Sequence, residues 1–447
     1  MDPSMLTSTP TISEAYVPPS KRQTDAKVAG LRRWLRPKLL ATPSEFDMAT
    51  TADPEHRQTI SHRLRTLLQH NNIQLAQTEY QELEAGLIND LLGFGAIEPL
   101  VRDRSYSEIM VNGPDVIFAE RSGKMGETDY VFDDEEHVQW TAQRIVRPLQ
   151  REFNRRNPMV DARLPDGSRV HLIMPPAALQ GTTITIRKFP EEALTWQDLV
   201  GFGSFTEEVA EFLRACVIAR LNIVVSGGTG SGKTTLLNVI SNFIPEDERT
   251  LTIEDSAELQ LNQRHVVSLE TAPPIPGSEE GQLKIRDLVK GSLRMRPDRI
   301  VVGEIRDGAA LDMLQAMNTG HDGSLTTVHA NSPRDAVSRL ETLAMMAGMD
   351  LPVLIIRTQI ASAVDLIIQQ ARLKDGSRKI TQIAEVQGLE GENVILQNIF
   401  TYTTSGKPGF QPSHEGGGQL LANGLRPRFA DRFSEYGIEL RPTLFMT

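Results

Sequence analysis

The residues with the clearest chemical potential form one run, Gly-Gly-Thr-Gly-Ser-Gly-Lys-Thr, at positions 227–234. This spacing is typical of a phosphate-binding loop, in which glycines let backbone N–H groups face a phosphate without a Cβ in the way. Lys233 is expected to neutralise the β and γ phosphates, and Thr234 to hold Mg²⁺. The run therefore predicts a site for ATP or a similar triphosphate. The candidate nucleotide-binding residues are Gly227, Gly228, Thr229, Gly230, Ser231, Gly232, Lys233, Thr234 and Thr235.

Two apolar runs end in carboxylates that could serve such a site. Residues 300–304 end at Glu304, and residues 251–255 end at Glu254 and Asp255. Ligands of open α/β sheets gather where strands end, so both acids are candidates for the same site. Glu304 is expected to contact Mg²⁺ through water or to polarise the attacking water, and Glu254 to take the other of these two tasks. The spacing does not decide which of the two acids is the base. The alternative is that both acids only cap the ends of their strands.

A histidine follows a third predicted strand in the same region. His329 stands at the end of residues 323–330, beside Asn331. This position makes His329 a candidate sensor of the γ phosphate, with a purely structural histidine as the alternative. His321 lies upstream without a cysteine nearby, so the two histidines make a poor metal site.

Two arginines stand on predicted strands outside this region. Ile184 and Ile186 alternate with Arg187, and Arg169 is out of phase with its apolar neighbour Val170. Successive side chains of a strand point to opposite faces, so both arginines are predicted on the polar face of a small sheet. The alternation of apolar and polar residues shows only that both arginines are exposed. They could serve a functional site, or they could form salt bridges with a linker.

The elements that must position these residues fall into successive segments. From residue 205 onward apolar strands alternate with helices, which predicts a mostly parallel sheet covered on both faces. Earlier apolar residues recur at helical spacing, and then at strand spacing. The predicted segments are a disordered tail at 1–22, a helical bundle at 23–93, an α+β sheet domain at 94–190, a linker at 191–204, a nucleotide-binding domain at 205–405 and a loosely attached tail at 406–447.

Composition excludes several classes of protein. With 47 Lys+Arg against 58 Asp+Glu, the net charge of −11 argues against a protein that coats nucleic acid. One cysteine, Cys216, permits neither an intrachain disulfide nor a cysteine-based zinc site. No run approaches the roughly 18–20 apolar residues of a membrane span, and no signal peptide is evident. We expect a cytoplasmic protein with only peripheral membrane contact. The basic stretch at 26–40 is either a solvated face or a contact for anionic lipid or an acidic partner.

With these residues in view, the chain resembles the type II/type IV secretion and pilus assembly ATPases. Within them it most resembles the CpaF subfamily of tight-adherence (Flp, type IVc) pilus motors. The resemblance covers about residues 80–400, extends weakly to 424–437, and includes the run 312–321. It rests on four ordered motifs, namely Walker A at 227–234, an Asp box at 252–259, Walker B at 301–307 and a His box at 320–331.

The resemblance implies a RecA-like P-loop NTPase domain, preceded by a small α+β sheet domain and an N-terminal helical bundle. It implies a homohexamer that binds ATP and Mg²⁺ between these domains, with Arg169 and Arg187 reaching the γ phosphate as arginine fingers. The implied partners are inner-membrane pilus platform proteins, without stable nucleic acid. Two features depart from many relatives: Ala309 replaces an acidic residue, and the tetracysteine zinc insert of some type II secretion motors is absent.

The leading hypothesis is a Mg-ATPase whose hydrolysis drives pilin movement, or protein secretion, through a membrane platform. A conjugation-type secretion ATPase is the nearest alternative within the family. A nucleic-acid translocase would need a basic channel lined by aromatic residues, and the aromatic content is only 5%. A scaffold that binds nucleotide without hydrolysis is disfavoured because Glu254 and Glu304 are both present.

Overall fold

The computed structural model describes residues 26–47, 49–121, 123–189, 193–274, 280–404 and 413–446. The predicted disordered tail at 1–22 lies outside these residues. The chain divides into two compact units, residues 1–191 and 192–447. The helices predicted as a separate bundle belong to the same unit as the small sheet, and the second unit begins within the predicted linker.

The first unit consists of three longer helices followed by a sheet with one packed helix. Pro54 begins the second helix, and the Asp53 carboxylate caps it by accepting the N–H groups of Glu55 and His56. The elements of this unit are α1 Ala26–Leu35, α2 Pro54–His70, α3 Gln77–Leu92, α4 Glu98–Arg102, β1 Tyr106–Asn112, β2 Ile117–Arg121, β3 Lys124–Glu127, α5 Glu135–Val146, β4 Met159–Arg163, β5 Arg169–Ile173 and β6 Thr183–Arg187.

The small sheet is antiparallel, in the order β3-β2-β1-β6-β5-β4. Along β6, Ile184 and Ile186 are fully buried while Arg187 is exposed. The alternation predicted from the sequence is therefore confirmed, and one face of the sheet packs on α5 while the other remains polar.

A buried ionic cluster ties the helices of the first unit to α5. The Asp90 carboxylate on α3 accepts a hydrogen bond from Arg36 Nε at 2.9 Å, and lies 2.8 Å from His137 Nε2. Burial alone would raise the pKa of Asp90, but His137, Arg32 and Arg36 outweigh it and hold that pKa well below its usual range. Removing one partner would leave a buried charge uncompensated, so the cluster fixes how α1, α3 and α5 pack.

The second unit is a mixed α/β layer structure. Its elements are α6 Trp196–Gly201, α7 Glu207–Ile218, β7 Ile223–Gly227, α8 Lys233–Ser241, β8 Thr250–Glu254, β9 Val266–Glu270, α9 Ile285–Ser292, β10 Arg299–Val302, α10 Ala309–Asn318, β11 Leu325–His329, α11 Pro333–Met345, α12 Val353–Ala363, β12 Leu366–Arg372, β13 Arg378–Glu390, β14 Asn393–Thr403, β15 Gln419–Ala422 and α13 Ala430–Glu435.

The strands described in the second unit form one sheet in the order β15-β14-β13-β12-β7-β11-β10-β8-β9. From β12 to β9 neighbouring strands are parallel, as the alternation of strands and helices predicted. From β12 to β15 the neighbours are antiparallel, so the sheet is mixed. The antiparallel part was not predicted, because its long strands lack the intervening helices that mark the parallel part.

The segment 406–447 differs from the loosely attached tail that the sequence suggested. Its described residues, 413–446, add β15 to the sheet edge and place Phe429, Phe433 and Phe445 in the core around Phe212. The glycines and prolines before residue 419 suggest loose chain, but the widely spaced phenylalanines bury enough apolar surface to hold the segment.

Among the residues that the structure describes, no helix combines the length and the apolar character needed to cross a membrane.

We predict that the C-terminal aromatic contacts stabilise the second unit. Phe433 is 3% exposed and its ring centroid lies 6.4 Å from that of Phe212. Phe433→Ala should lower the free energy of unfolding of the second unit by about 3–5 kcal/mol, measured in a denaturant titration. Tyr436→Ala, at a 43% exposed position just after the same helix, is the control and should cost less than about 0.5 kcal/mol. Equal effects of both variants would contradict the packing described.

Candidate active site

The phosphate-binding loop joins the end of β7 to the start of α8. Gly230 and Gly232 have φ values of 70° and 93°, a region that glycine adopts without strain. A Cβ on Gly227 would lie 2.4 Å from the backbone oxygen of Gln370 and 2.5 Å from Ser231 Oγ. The sequence therefore needs glycine at these positions because the loop turns sharply and packs directly on β12.

Lys233 begins α8 and turns its ammonium group back into the loop. The side chain is buried, and Nζ donates a hydrogen bond to the Gly228 carbonyl at 3.0 Å. Burial lowers the pKa of Lys233, while the Glu304 carboxylate opposes that change. A partly desolvated ammonium inside a loop of backbone N–H groups is suited to bind phosphate oxygens.

His329 lies beside the loop because β11 pairs with β7. The parallel register places His329 opposite Gly227. Its Nδ1 lies 3.5 Å from Lys233 Nζ, and its Nε2 lies 2.7 Å from Glu304 Oε1. Burial, and then the neighbouring Lys233, lower the pKa of His329. The residue predicted as a phosphate sensor thus lies between the loop lysine and the carboxylate of the next strand.

Glu304 follows β10 and is held from both sides. Besides His329 at one oxygen, Arg306 Nε donates to Glu304 Oε2 at 2.9 Å. This hydrogen bond raises the pKa of Arg306. Its Nη1 also lies 3.4 Å from Asp255 Oδ2. Arg306 was not among the residues predicted from the sequence, although it stands only two positions after the strand-end acid.

Glu254 has a different environment from Glu304. It is 2% exposed, and its Oε1 accepts backbone N–H groups of Glu258 at 3.0 Å and Leu259 at 3.2 Å. A Cβ on Gly303 would lie 2.9 Å from its Cγ, so β10 packs directly on the Glu254 side chain. These contacts shape the turn after β8, whereas Glu304 contacts the residues next to the loop.

The donors around the loop fit a metal ion carried by a nucleotide. Within the described residues, no group of three or more His, Cys, Asp or Glu side chains could hold a metal ion by itself. Thr234 and Thr235 stand in the first turn of α8, directly after Lys233. Mg²⁺ in nucleotide sites takes few protein ligands, because phosphate oxygens and water supply the rest. The Thr234 hydroxyl and the Glu304 carboxylate are oxygen donors of the kind that such an ion would take.

Arg169 and Arg187 lie in the first unit, whereas the loop lies in the second. They stand opposite each other on β5 and β6, and Arg163 of β4 continues the same row. Arg187 Nε lies 3.8 Å from a Glu108 carboxylate oxygen in an exposed ion pair. Arg163 was not singled out from the sequence, since its place in the row depends on the pairing of β4 with β5.

Two residues of the antiparallel strands also contact the loop. Gln370 on β12 stands opposite Gly227 in parallel register, and Arg378 at the start of β13 donates from Nε to the Gly230 carbonyl at 3.0 Å. No local sequence signal marks either residue, because the strand order brings both of them to the loop.

Known proteins match this chain over most of both units. The family model described as "Type II/IV secretion system protein" matches residues 90–398. A Mycobacterium tuberculosis protein named as a putative conjugal transfer protein is 35% identical over 311 residues, 68% of this chain and 88% of that protein. The conjugal transfer protein TrbB of Rhizobium radiobacter is 36% identical over 290 residues, 64% of this chain and 85% of that protein.

Among solved structures, the VirB11 ATPase of the Brucella suis type IV secretion system is 31% identical. That match covers 65% of this chain and 93% of that chain, with a TM-score of 0.36.

We predict opposite shifts of the His329 pKa on changing its two charged neighbours. Lys233→Met removes a repelling positive charge and should raise the pKa of His329, whereas Glu304→Gln removes an attracting negative charge and should lower it. NMR titration of the imidazole signals measures both, with His329→Asn to assign the resonance. An unchanged pKa in both variants would contradict the arrangement of Lys233, His329 and Glu304.

Proposed function

This chain belongs to the type II/IV secretion system protein family and is an ATPase, and on that premise we propose that it powers a conjugation-type (type IV) secretion machine. The relatives reported above carry conjugal-transfer and type IV secretion names rather than tight-adherence pilus names. We propose further that the second unit is a RecA-like P-loop domain whose substrate is ATP with Mg²⁺. Hydrolysis would drive domain motion that moves protein through an inner-membrane platform.

One observation carries this proposal: Lys233, His329 and Glu304 converge beside a phosphate-binding loop. Lys233 Nζ lies 3.5 Å from His329 Nδ1, and His329 Nε2 lies 2.7 Å from Glu304 Oε1. A cation, an imidazole ring and a carboxylate from three different parts of the fold thus lie in contact. Phosphoryl transfer needs positioning and charge stabilisation more than covalent chemistry, and this set supplies both.

We assign the roles by environment. Lys233 and the loop N–H groups bind the β and γ phosphates, and His329 contacts the γ phosphate. Glu304 orients the attacking water and accepts its proton, because it lies beside His329, which in turn contacts the loop lysine. Glu254 positions the turn after β8, because its carboxylate accepts the backbone N–H groups of that turn. Thr234 would hold Mg²⁺ together with the phosphates of the nucleotide, and the ion would neutralise part of their negative charge.

We propose that the chain assembles as a homohexamer in the cytoplasm, peripheral to the inner membrane. In that assembly Arg169 and Arg187 complete the site from the first unit and stabilise charge that develops on the γ phosphate. Their place on the polar face of the small sheet, with a guanidinium row continued by Arg163, supports this role. Nucleic acid is not a stable partner in this proposal.

A second candidate is a tight-adherence pilus motor of the CpaF type. It is favoured by the helices α1 to α3 at residues 26–92, nearly all of which precede the residues matched by the family model. The sequence resemblance associates such an N-terminal extension with that subfamily. Both candidates share the ATPase chemistry and differ in what the machine moves.

We predict that the two arginines affect hydrolysis and not binding. Arg187→Ala and Arg169→Ala should each lower kcat for ATP at least about tenfold, while the affinity for a fluorescent ATP analogue stays within about twofold. Arg155→Ala, an exposed arginine in a turn of the same unit, is the control and should leave kcat unchanged. A similar kcat for all three variants, or an equal loss with Glu108→Gln, would show that these arginines only form surface ion pairs.

We predict that Lys233→Ala abolishes ATP hydrolysis, because it removes the cation of the loop. Introduced into the host chromosome, this variant should block DNA transfer between cells and leave surface pili unchanged if the conjugation proposal is correct. Mating frequency and electron microscopy of pili measure the two outcomes. Loss of pili with normal mating would favour the pilus motor instead, and unchanged hydrolysis by the purified variant would refute both candidates.

A further inference from the structure

The tip of the phosphate-binding loop is held by a residue from a distant part of the chain. Arg378 Nε donates a hydrogen bond to the Gly230 carbonyl at 3.0 Å. On the other side of the tip, a Cβ built on Gly230 would meet nothing within 4 Å. Arg378 thus contacts the loop tip from a strand that lies 148 positions further along the chain.

The backbone that carries Arg378 is itself firmly placed. The preceding turn closes with a hydrogen bond from the Leu373 N–H to the Ser377 carbonyl at 2.8 Å, and Asp375 accepts the Ser377 N–H at 2.9 Å. The Arg378 carbonyl accepts the Ser204 hydroxyl at 2.8 Å. Because these contacts fix the start of β13, the arginine can hold the loop in one position.

The same strands form a wall behind the loop. A Cβ on Gly232 would lie 3.2 Å from Arg378 Cδ and 3.2 Å from Gln370 Nε2. Gln370 is 3% exposed and pairs in register with Gly227. Gly227 and Gly232 of the loop therefore rest against β12 and the first residue of β13.

The bond to Gly230 sets the direction of the next N–H group. In a trans peptide the Gly230 carbonyl and the Ser231 N–H point in opposite directions. With the carbonyl turned out toward Arg378, the N–H faces the inside of the loop, where it donates to the Gly228 carbonyl across an N···O distance of 3.4 Å. An inward N–H is one of the donors that a phosphate needs.

We propose that Arg378 is a positioning residue for nucleotide binding, which orients the peptide between Gly230 and Ser231 through its Nε donor. This role rests on ATP binding at the loop, which is part of the proposed function. The side chain acts through the loop backbone and not as a charge on the phosphate. The hairpin of β12 and β13 thereby contributes to the ATP site without supplying a ligand to it.

Three substitutions separate the donor from the charge. In glutamine Nε2 is bonded to Cδ, as Nε is in arginine, so Arg378→Gln keeps a donor at the same place without the charge. Arg378→Lys keeps the charge and puts a methylene there, and Arg378→Ala removes both. Titration with a fluorescent ATP analogue should show about fivefold weaker binding for Arg378→Ala and Arg378→Lys, and binding within about twofold of wild type for Arg378→Gln.

The matched control is Arg372→Ala, at an exposed position on the other strand of the same hairpin, which should bind the analogue as wild type does. Melting temperatures should be alike for all variants, because the contact is made at the surface. Rescue by lysine but not glutamine, wild-type binding by Arg378→Ala, or melting losses parallel to the affinity losses would each overturn the proposal. Failure of wild type to bind the analogue, or wild-type binding by Lys233→Ala, would instead refute the proposed function.

Discussion

The site depends on one constraint, the parallel register of β12, β7 and β11. Backbone hydrogen bonds hold each strand in this register. A strand shifted by one residue would turn its side chains to the opposite face of the sheet. The register puts Gln370, Gly227 and His329 in one row across the sheet edge. β10 pairs with β11 in parallel, so Glu304, which follows β10, lies beside His329. The loop then contributes its glycines and Lys233 to the same end of the sheet.

The charges at this edge of the sheet are consistent with the proposed binding of phosphate. Without a nucleotide, the buried Lys233 ammonium is compensated by the Gly228 carbonyl and by the nearby Glu304, and burial still lowers its pKa. A triphosphate would place more negative charge beside this ammonium than the carbonyl and Glu304 supply, which is favourable for a buried cation. The Glu304 carboxylate would then no longer be needed to compensate the charge of Lys233, and it could accept a hydrogen bond from a water molecule. On the small sheet of the first unit, Arg163, Arg169 and Arg187 stand in one row across β4, β5 and β6.

Sequence reasoning located residues that a local pattern marks at the end or start of an element, and it missed residues whose position depends on strand order. The loop, Glu304 and His329 could be predicted because each ends or begins an element with a clear local pattern. Gln370 and Arg378 could not, since only the placement of β12 and β13 beside β7 brings them to the loop. The C-terminal phenylalanines were missed for a similar reason: their core partner Phe212 lies more than 200 residues earlier in the chain. The ATPase assignment is confirmed by the family match, whereas the pilus subfamily remains a proposal.

The most direct test of this account is a structure of the protein with a non-hydrolysable ATP analogue and Mg²⁺. We expect Lys233 Nζ to leave the Gly228 carbonyl for the β and γ phosphates, His329 to lie in contact with the γ phosphate, and the Glu304 carboxylate to face a water molecule beside it. A nucleotide bound away from the loop, or one whose γ phosphate contacts neither Lys233 nor His329, would contradict the central claim that these residues form one catalytic site.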